Sequence, residues 1–350
     1  MLIKVGILTA PKIEYEQREH TFLLKNVRIG IGFHWDRTED QEFAGTLEIR
    51  TNPDGTQTAI NTLDLEDYLC SVISSEMNAN SPMELLKAHA VISRSWAMRA
   101  MEHPNHVGFD VCADDHCQRY EGLRRMNERA VEAVRATAGQ VLTFQRPTTN
   151  DERLICDCRY YKCCGGRTEV WRTCWEDIDV PYIQSVKCDY CKQPSPRVLR
   201  LVLNDYDQET RDFRDWKVTY TAEELSDIIR TKSGIDFGEI IDLIPLKRGA
   251  SGRIYELKIV GTKRTEVIGK ELKIRLWLSR TCLYSSWFDV EKSPTTNDQI
   301  PTTITLSGHG WGHGAGLCQI GAAVMASEGM THEQILQYYY AGSRLSAPTK

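Results

Sequence analysis

Residues 64–102, DLEDYLCSVISSEMNANSPMELLKAHAVISRSWAMRAME, decide the fold because they contain two helical patterns separated by a short break. Asp64 opens the first pattern, which predicts a helix to about Met77. The polar run Asn78-Ala-Asn80 then ends that helix. The segment therefore predicts two consecutive helices joined by a tight connection.

The second helix has clear signals at both ends. Ser81 is a typical capping residue, Pro82 suits the first helical position, and Glu84 completes a capping box. The helix should continue to about Glu102 and stop before Pro104. Apolar residues at helical spacing form one face of this helix, namely Leu85, Ala88, Ile92 and Trp96.

The sequence on either side adds strands and further helices. Residues 1–60 are predicted to be short strands with turns, and Asn52-Pro-Asp-Gly55 is a strong hairpin signal between residues 45–50 and 56–60. Later patterns predict helices at 128–138, 222–231, 319–327 and 331–340, strands at 254–260, 265–268, 286–290 and 302–306, and a polar loop at 291–301. The predicted fold class is therefore α+β, with mixed sheets and several helices.

Composition and charge exclude some classes of function. The 350-residue chain has a formal net charge of -5, which does not favour nucleic acid as a partner. Its apolar runs are too short for a transmembrane segment. The N-terminal run Met1 to Leu8 is typical of a strand, so no signal peptide is visible and the compartment stays open.

Twelve cysteines are many for this length. With no visible export signal, we expect reduced thiols or metal ligands, and we would expect disulfides instead if a signal had been removed. The segment from Cys112 to Cys117 favours zinc, with His106 or His116 completing the pair of thiolates, and we slightly favour His106. Simple packed thiols are the alternative. A second possible four-thiolate site combines Cys156, Cys158, Cys188 and Cys191.

Glu76 is a candidate acid because it ends the first predicted helix directly before the break. A carboxylate at such a helix end can project into a cleft, where apolar walls favour the protonated form that a general acid needs. Taken alone, the same pattern also fits a solvated surface glutamate.

Two glycine-rich segments are further candidates. In the first, Cys163-Cys-Gly-Gly-Arg-Thr168, the double glycine permits either a close approach to a ligand or a simple tight turn. The second, Gly308-His-Gly-Trp-Gly-His-Gly-Ala-Gly316, predicts no ordinary strand or helix and favours a hydrogen-bonding wall of a ligand cleft over a metal site. A thiol nucleophile at Cys164, with His309 or His313 as base, is a further alternative.

These motifs together resemble the stage II sporulation protein D family, also called the SpoIID/LytB domain. The matching segments, in order, are LEDYL (65–69), SEM (75–77), ELLKAHAVISR (84–94), FDVC (109–112), HCQRY (116–120), GG-x-T (165–168), GHGWGHG (308–314), QIGA (319–322) and QYYY (337–340). The resemblance covers residues 61–345 and implies a SpoIID-like core with a catalytic cleft. Residues 1–60 carry no family motif and form a separate β-rich region in this interpretation.

The resemblance implies a function on bacterial cell wall. Some family members are lytic transglycosylases that cut peptidoglycan glycan strands between N-acetylmuramic acid and N-acetylglucosamine. Other members enhance a cell-wall amidase. It implies Glu76 as the catalytic residue and a structural zinc ion in the loop of His106, Cys112, His116 and Cys117, with no organic cofactor. The substrate-binding residues implied by the matching motifs are Arg94, Gln118, Tyr120, Gly165, Gly166, Thr168, His309, His313 and Gln319.

The chemistry of a lytic transglycosylase needs a single carboxyl group, which acts as acid and then as base. No second carboxylate clearly pairs with Glu76 in the sequence, although Asp110, Asp114 and Asp115 keep ordinary hydrolysis open. One departure from the family pattern matters, since Cys163 and Cys164 replace the small hydroxyl residues often found before the double glycine. A non-catalytic peptidoglycan-binding module that enhances an amidase is the alternative function.

Overall fold

The structure is a computed structural model that describes residues 1–31, 36–114, 116–145, 153–192, 194–203, 212–293 and 302–347. Helices within these ranges are α1 (Leu65–Glu76), α2 (Met83–Glu102), α3 (Glu128–Ala136), α4 (Trp171–Cys174), α5 (Pro196–Val202), α6 (Ala222–Ser233), α7 (Glu271–Trp277), α8 (Gln319–Ser327) and α9 (His332–Tyr339). None of these helices is long and apolar enough to cross a membrane.

Strands form several small sheets. They are β1 (Leu2–Ala10), β2 (Tyr15–Gln17), β3 (Thr21–Ile29), β4 (Arg37–Ala44), β5 (Thr46–Thr51), β6 (Gln57–Asp64), β7 (Val111–Cys112), β8 (Val141–Gln145), β9 (Arg153–Ile155), β10 (Tyr160–Tyr161), β11 (Asp215–Thr221), β12 (Ile240–Arg248), β13 (Ile254–Gly261), β14 (Thr265–Ile268), β15 (Phe288–Lys292), β16 (Thr303–His309), β17 (Leu317–Cys318) and β18 (Arg344–Ser346). The sheet orders are β5-β6-β1-β7, β2-β3-β4, β18-β8-β9, β11-β16-β15, β12-β13-β14 and β10-β17. The α+β fold class is confirmed.

The two helices predicted from residues 64–102 are present. Asp64 caps α1 by accepting a hydrogen bond from the backbone N–H of Glu66, and α1 ends at Glu76 as expected. The predicted cap of α2 is wrong, because Ser81 donates its hydroxyl to the carbonyl of Leu201 instead. Pro82 occupies the cap position of α2, and its side chain has no oxygen that could accept a backbone N–H.

Other predictions are confirmed to within a few residues. The hairpin at 52–55 joins β5 to β6, and α8 and α9 lie where helices were expected. One prediction was wrong, since β16 continues through Gly308 and His309, inside the segment for which no strand was expected. The helix α7 was not predicted, since the helix expected at 222–231 was the single one placed between residues 200 and 290. The predicted loop at 291–301 is mostly outside the described residues.

The apolar side chains form two clusters. The larger cluster joins strands of the N-terminal region to α1, α2 and the C-terminal helices, with Ile3, Phe22, Leu69, Ile92 and Leu336 among its buried members. The smaller cluster is built from residues between Trp216 and Leu306. The division at residue 60 stays a prediction, and side chains from both sides of it share the larger cluster.

Candidate active site

Glu76 is the last residue of α1 and is half-buried. Its Oε1 accepts a hydrogen bond from the backbone N–H of Arg119 at 2.9 Å and another from the hydroxyl of Tyr160 at 2.9 Å. Three separate segments of the chain therefore meet at this carboxylate. These contacts hold Glu76 in place, which a freely solvated surface glutamate would not show, and its catalytic role stays a prediction.

Tyr160 was not anticipated from the sequence. It begins the two-residue strand β10, and its ring packs edge-on against His89, with ring centroids 4.3 Å apart, and against Trp96 at 5.6 Å. Burial and the negative charge of Glu76 hold the pKa of its hydroxyl well above the usual value, so the group stays a hydrogen-bond donor. A lone tyrosine pair, Tyr160-Tyr161, gave no signal that separated it from an ordinary strand.

His89 lies behind Tyr160 and is fully buried in α2. Gln319 donates its amide N–H to His89 Nε2 at 3.0 Å, so Nδ1 carries the hydrogen and donates to Ser93 Oγ at 3.3 Å. Burial, together with repulsion from Lys162, lowers the pKa of His89 to about 3. The imidazole is therefore neutral and serves as a fixed support for Tyr160.

Arg159, next to Tyr160, adds a positive charge to the same wall. Both ends of its guanidinium donate to Asp157, at 2.6 Å and 2.9 Å. Its guanidinium carbon lies 4.4 to 5.5 Å from the ring centroids of three tryptophans, namely Trp96, Trp175 and Trp171. Cation–π contact and a bidentate ion pair together fix the side chain.

The two histidines of the glycine-rich segment have different surroundings. His313 accepts the backbone N–H of Ala315 at Nδ1 and donates from Nε2 to the carbonyl of Tyr160 at 2.9 Å. Burial lowers the pKa of His313 to about 3, so it is neutral. His309 instead binds Asp215 at 2.6 Å, at the paired ends of β16 and β11. Only His313 contacts the strand that carries Tyr160, and neither histidine joins a metal-ligand group among the described residues.

Glycines let this segment approach the strand beside it. A Cβ on Gly310 would lie 2.8 Å from the carbonyl oxygen of Cys163, and a Cβ on Gly316 would overlap the carbonyl of Arg159. Gly165 packs against the same segment, since its Cβ would lie 3.0 Å from the backbone nitrogen of Gly310. Gly166 has a positive φ of 125° and open space at its Cβ position. The double glycine thus forms a turn with one close backbone approach.

Several residues implied as substrate contacts are buried. Arg94 is 1% exposed and donates to both carboxylate oxygens of Glu66 at 2.7 Å. Gln118 is 1% exposed and accepts from the hydroxyl of Tyr68, while Tyr120 is 2% exposed and accepts from Asn61. These contacts fit a supporting role better than direct contact with a ligand.

Two further implied contacts, Thr168 and Gln319, are also turned inward. The hydroxyl of Thr168 donates to the carbonyl of Gln184 and accepts from the backbone N–H of Val186. Gln319 is occupied by His89, as described above. Their role in binding a substrate stays a prediction.

The predicted zinc loop brings all four of its residues together. The ligand atoms of His106, Cys112, His116 and Cys117 lie within 4.8 Å of one another. His106 contacts Cys117 at 3.2 Å, and His116 contacts Cys112 at 3.8 Å and Cys117 at 3.5 Å, so both imidazoles are placed as ligands. A hydrogen bond from Cys117 lowers the pKa of Cys112 to about 4, so this set already favours a thiolate. Soft thiolates with imidazoles fit zinc.

The second predicted set of four cysteines is wrong in two of its members. Cys188 and Cys191 are grouped with Cys164 and Cys318, not with Cys156 and Cys158. The sequence could not indicate this, because Cys318 is 127 residues from Cys191 along the chain. Cys164 is also completely buried. A buried thiol cannot reach a substrate, which disfavours the alternative of Cys164 as a nucleophile.

Comparisons with known proteins show similarity over most of the chain. Residues 53–144 match the family described as stage II sporulation protein, SpoIID. Stage II sporulation protein D of Bacillus subtilis is 27% identical over 305 residues, which are 82% of this chain and 76% of that protein. The chain is thus similar to stage II sporulation protein D over most of its length and carries one segment that matches the SpoIID family model.

Other matches of this chain extend beyond that segment. Residues 169–316 match a domain of unknown function (DUF8618), which includes the glycine-rich histidine segment. An uncharacterized protein of Brachyspira hyodysenteriae is 28% identical over 303 residues, 86% of this chain and 71% of the relative. A Bacillus subtilis protein named amidase enhancer is 24% identical over 309 residues, 80% of this chain and 40% of that protein.

Proposed function

We propose that this chain is a lytic transglycosylase of bacterial peptidoglycan, with Glu76 as the acid and base. The observation that carries the proposal is the carboxylate of Glu76, which two hydrogen bonds from distant segments hold at the end of a helix. The match of residues 53–144 to the SpoIID family model and the similarity to stage II sporulation protein D support the substrate class.

The reaction needs one proton donor and no second carboxylate. Glu76 protonates the oxygen that links N-acetylmuramic acid to N-acetylglucosamine, and the bond from C1 to that oxygen breaks. The same carboxylate then takes the proton of the muramic acid 6-hydroxyl as its oxygen bonds to C1. The proton is thereby returned to Glu76, and the product ends in 1,6-anhydro-muramic acid.

The hydrogen bonds to Glu76 fit this role. Arg119 and Tyr160 both donate to Oε1, so a proton on the carboxyl group belongs on Oε2. The hydroxyl of Tyr160 can donate to the carboxylate that remains after the first proton transfer, which stabilises it. Asp110, one of the alternatives for a second carboxylate, accepts the backbone N–H of Lys4 at 2.7 Å, and Asp115 lies outside the described residues.

Zinc in the loop of His106, Cys112, His116 and Cys117 supports the site in this proposal. The ligand atoms of all four side chains lie within 4.8 Å of one another, and two thiols with two imidazoles are a donor set that zinc accepts. Bound zinc supplies rigidity here, and the chemical steps belong to Glu76. Since Cys117 precedes Arg119 by two residues, the zinc loop would hold the backbone N–H that binds Glu76.

The product of digestion tests the proposal. Purified peptidoglycan is incubated with the full chain, and the released fragments are analysed by mass spectrometry. We expect muropeptides with the mass of anhydro-muramic acid ends. New reducing ends without anhydro-muramic acid would show hydrolysis instead and would overturn the transglycosylase mechanism.

A second candidate function is a non-catalytic module that binds peptidoglycan and enhances a cell-wall amidase. Two observations favour it, namely the relative named amidase enhancer and the burial of several implied substrate contacts. The test combines this chain with a cell-wall amidase and intact peptidoglycan. Stimulation of the amidase by wild type and Glu76→Gln alike, with no glycan cleavage by either, supports this function against the first.

A further inference from the structure

Four cysteines from three separated segments meet beside the site. Cys164 follows β10, Cys188 and Cys191 lie in the loop before α5, and Cys318 ends β17 at the start of α8. All four are buried, and their sulfur atoms lie within 4.8 Å of one another. We propose that these four thiolates bind a second zinc ion, distinct from that of the His106–Cys117 loop.

The spacing of the sulfur atoms fits a tetrahedral ion. Zinc–sulfur bonds of about 2.3 Å place the four sulfurs of a tetrahedral site about 3.8 Å apart. The sulfur atoms of Cys164 and Cys191 are 3.1 Å apart, and every pair in the group is within 4.8 Å. Movements of less than about 1 Å are therefore enough to form the site. Cys188 and Cys191 also supply the C-x-x-C spacing that is common in structural zinc sites.

Backbone N–H groups point at the sulfur atoms, as they do around metal-bound thiolates. The N–H of Gly166 lies 3.4 Å from Cys164 Sγ, and the N–H of Cys164 lies 3.3 Å from Cys318 Sγ. The N–H of Gly321, in the first turn of α8, lies 3.4 Å from Cys318 Sγ. A helix N-terminus and N–H donors stabilise negative sulfur. Inert thiols packed as small apolar groups would not need these donors.

A disulfide fits the cluster less well than a metal ion. A disulfide joins two sulfurs at about 2.05 Å and would leave the other two thiols buried beside it. Cys163 is also buried nearby, but its backbone is paired with Trp311 on both sides and its sulfur is not in the group of four. Four thiolates around one ion use every member of the group.

The proposed ion would lie where it could cross-link the strands β10 and β17. Cys164 and Cys318 anchor the parallel pair β10 and β17, which has only two residues in each strand. Such a short pair has few hydrogen bonds of its own and gains stability from a cross-link. Because β10 also carries Tyr160, the ion would fix the strand that binds Glu76. Its role is structural, and it takes no part in the glycan chemistry.

Zinc content of three double variants of the full chain tests the proposal. The chains are purified under reducing conditions without chelator, and metals are measured by plasma mass spectrometry. The variant Cys112→Ser/Cys117→Ser keeps the proposed site and is expected to retain one zinc per chain. Cys188→Ser/Cys191→Ser is expected to lose one zinc relative to wild type. Cys156→Ser/Cys158→Ser, with two buried cysteines outside the cluster, is the matched control and should lose none.

The decisive variant does not depend on the folding of the others. If Cys188→Ser/Cys191→Ser is insoluble, the zinc retained by Cys112→Ser/Cys117→Ser still answers the question. Absence of zinc from that variant overturns the proposal, as does iron in place of zinc. A disulfide between any two of the four cysteines, found by mass mapping after alkylation of the native protein, overturns it too. Failure of the glycan assay leaves this test unaffected, since metal content is measured independently of activity.

Discussion

The end of α1 and the middle of α2 belong to the same run of family motifs, yet they have opposite surroundings. Glu76 at the end of α1 is half-buried and receives hydrogen bonds from two distant segments. Arg94 in α2 is 1% exposed and binds Glu66 together with the carbonyls of Val134 and Gln140. The same run of motifs therefore contains the proposed catalytic carboxylate and a buried arginine that holds the scaffold, and the two residues should respond differently to substitution.

Glu76→Gln should have the largest effect. The amide cannot donate the proton and then take it back, so we expect glycan cleavage to fall by at least about a hundredfold, as for other general acids. Stability should change little. The rate of release of anhydro-muropeptides and the free energy of unfolding in urea provide the two measurements.

Glu102→Gln is the matched control, because Glu102 is also the last residue of its helix but pairs with Arg99 at the surface. It should keep wild-type activity. Equal activity of wild type and Glu76→Gln would remove Glu76 from the catalytic role.

Arg94→Met should show the opposite pattern to Glu76→Gln, because its main effect should be on the free energy of unfolding. Loss of the guanidinium leaves Glu66 and two carbonyls without their donors, which costs about 3 kcal/mol in the free energy of unfolding. Arg99→Met on the same helix, which breaks only an exposed pair, should cost less than about 1 kcal/mol. A fully stable Arg94→Met protein that had lost wall binding would show instead that Arg94 contacts the substrate.

Tyr160→Phe removes the hydroxyl and keeps the ring, so it tests the contribution of the hydroxyl alone. The ring can still pack on His89 and Trp96, while the hydrogen bond to Glu76 is lost. We expect kcat to fall about tenfold with KM nearly unchanged, since about 1.4 kcal/mol of stabilisation of the carboxylate is removed. Tyr161→Phe is the neighbouring control and should leave kcat unchanged. A fall in both variants alike would assign the effect to the strand and not to the hydroxyl.

The neutral state of His89 predicts a smaller effect, on pH dependence. Its pKa is about 3 when folded and about 6.5 when unfolded, so its contribution to stability is complete above pH 6.5 and is lost as the pH falls toward 3. For this residue, the free energy of unfolding should fall by about 1 kcal/mol between pH 6.5 and pH 5.5. His89→Gln should lose this part of the acid sensitivity.

His20→Gln is the control for this measurement, because it makes the same substitution at an exposed histidine. His313, which is also buried and neutral, keeps its own contribution to the pH dependence of unfolding in both variants. A slope in His89→Gln equal to that of wild type would show that His89 is already protonated in the folded protein.

Local patterns predicted most of the fold. The break at Asn78-Ala-Asn80, the hairpin at 52–55 and the last helix at 331–340 depend on neighbouring residues, so the sequence alone placed them well. The candidate acid at Glu76 followed from the same local reading and from the order of the motifs.

The remainder depends on contacts between distant segments. Ser81 was expected to cap α2, but a carbonyl 120 residues away takes its hydroxyl. Tyr160 meets Glu76 across 84 residues, and Cys318 joins Cys164 across 154 residues. Neither spacing nor periodicity carries information about such pairs in a single sequence, so the tyrosine was missed and the second group of cysteines was assigned incorrectly.

The short pairing of β10 with β17 has a consequence for how the gene can change. Tyr160 lies opposite Leu317 and Tyr161 opposite Cys318, so the strand has no spare residue to absorb a shift in register. One codon inserted or deleted between Arg159 and Cys164 would turn Tyr160 away from Glu76 or carry Cys164 out of its cluster. Point substitutions can accumulate in this stretch, whereas its length is expected to stay constant among relatives that keep both sites.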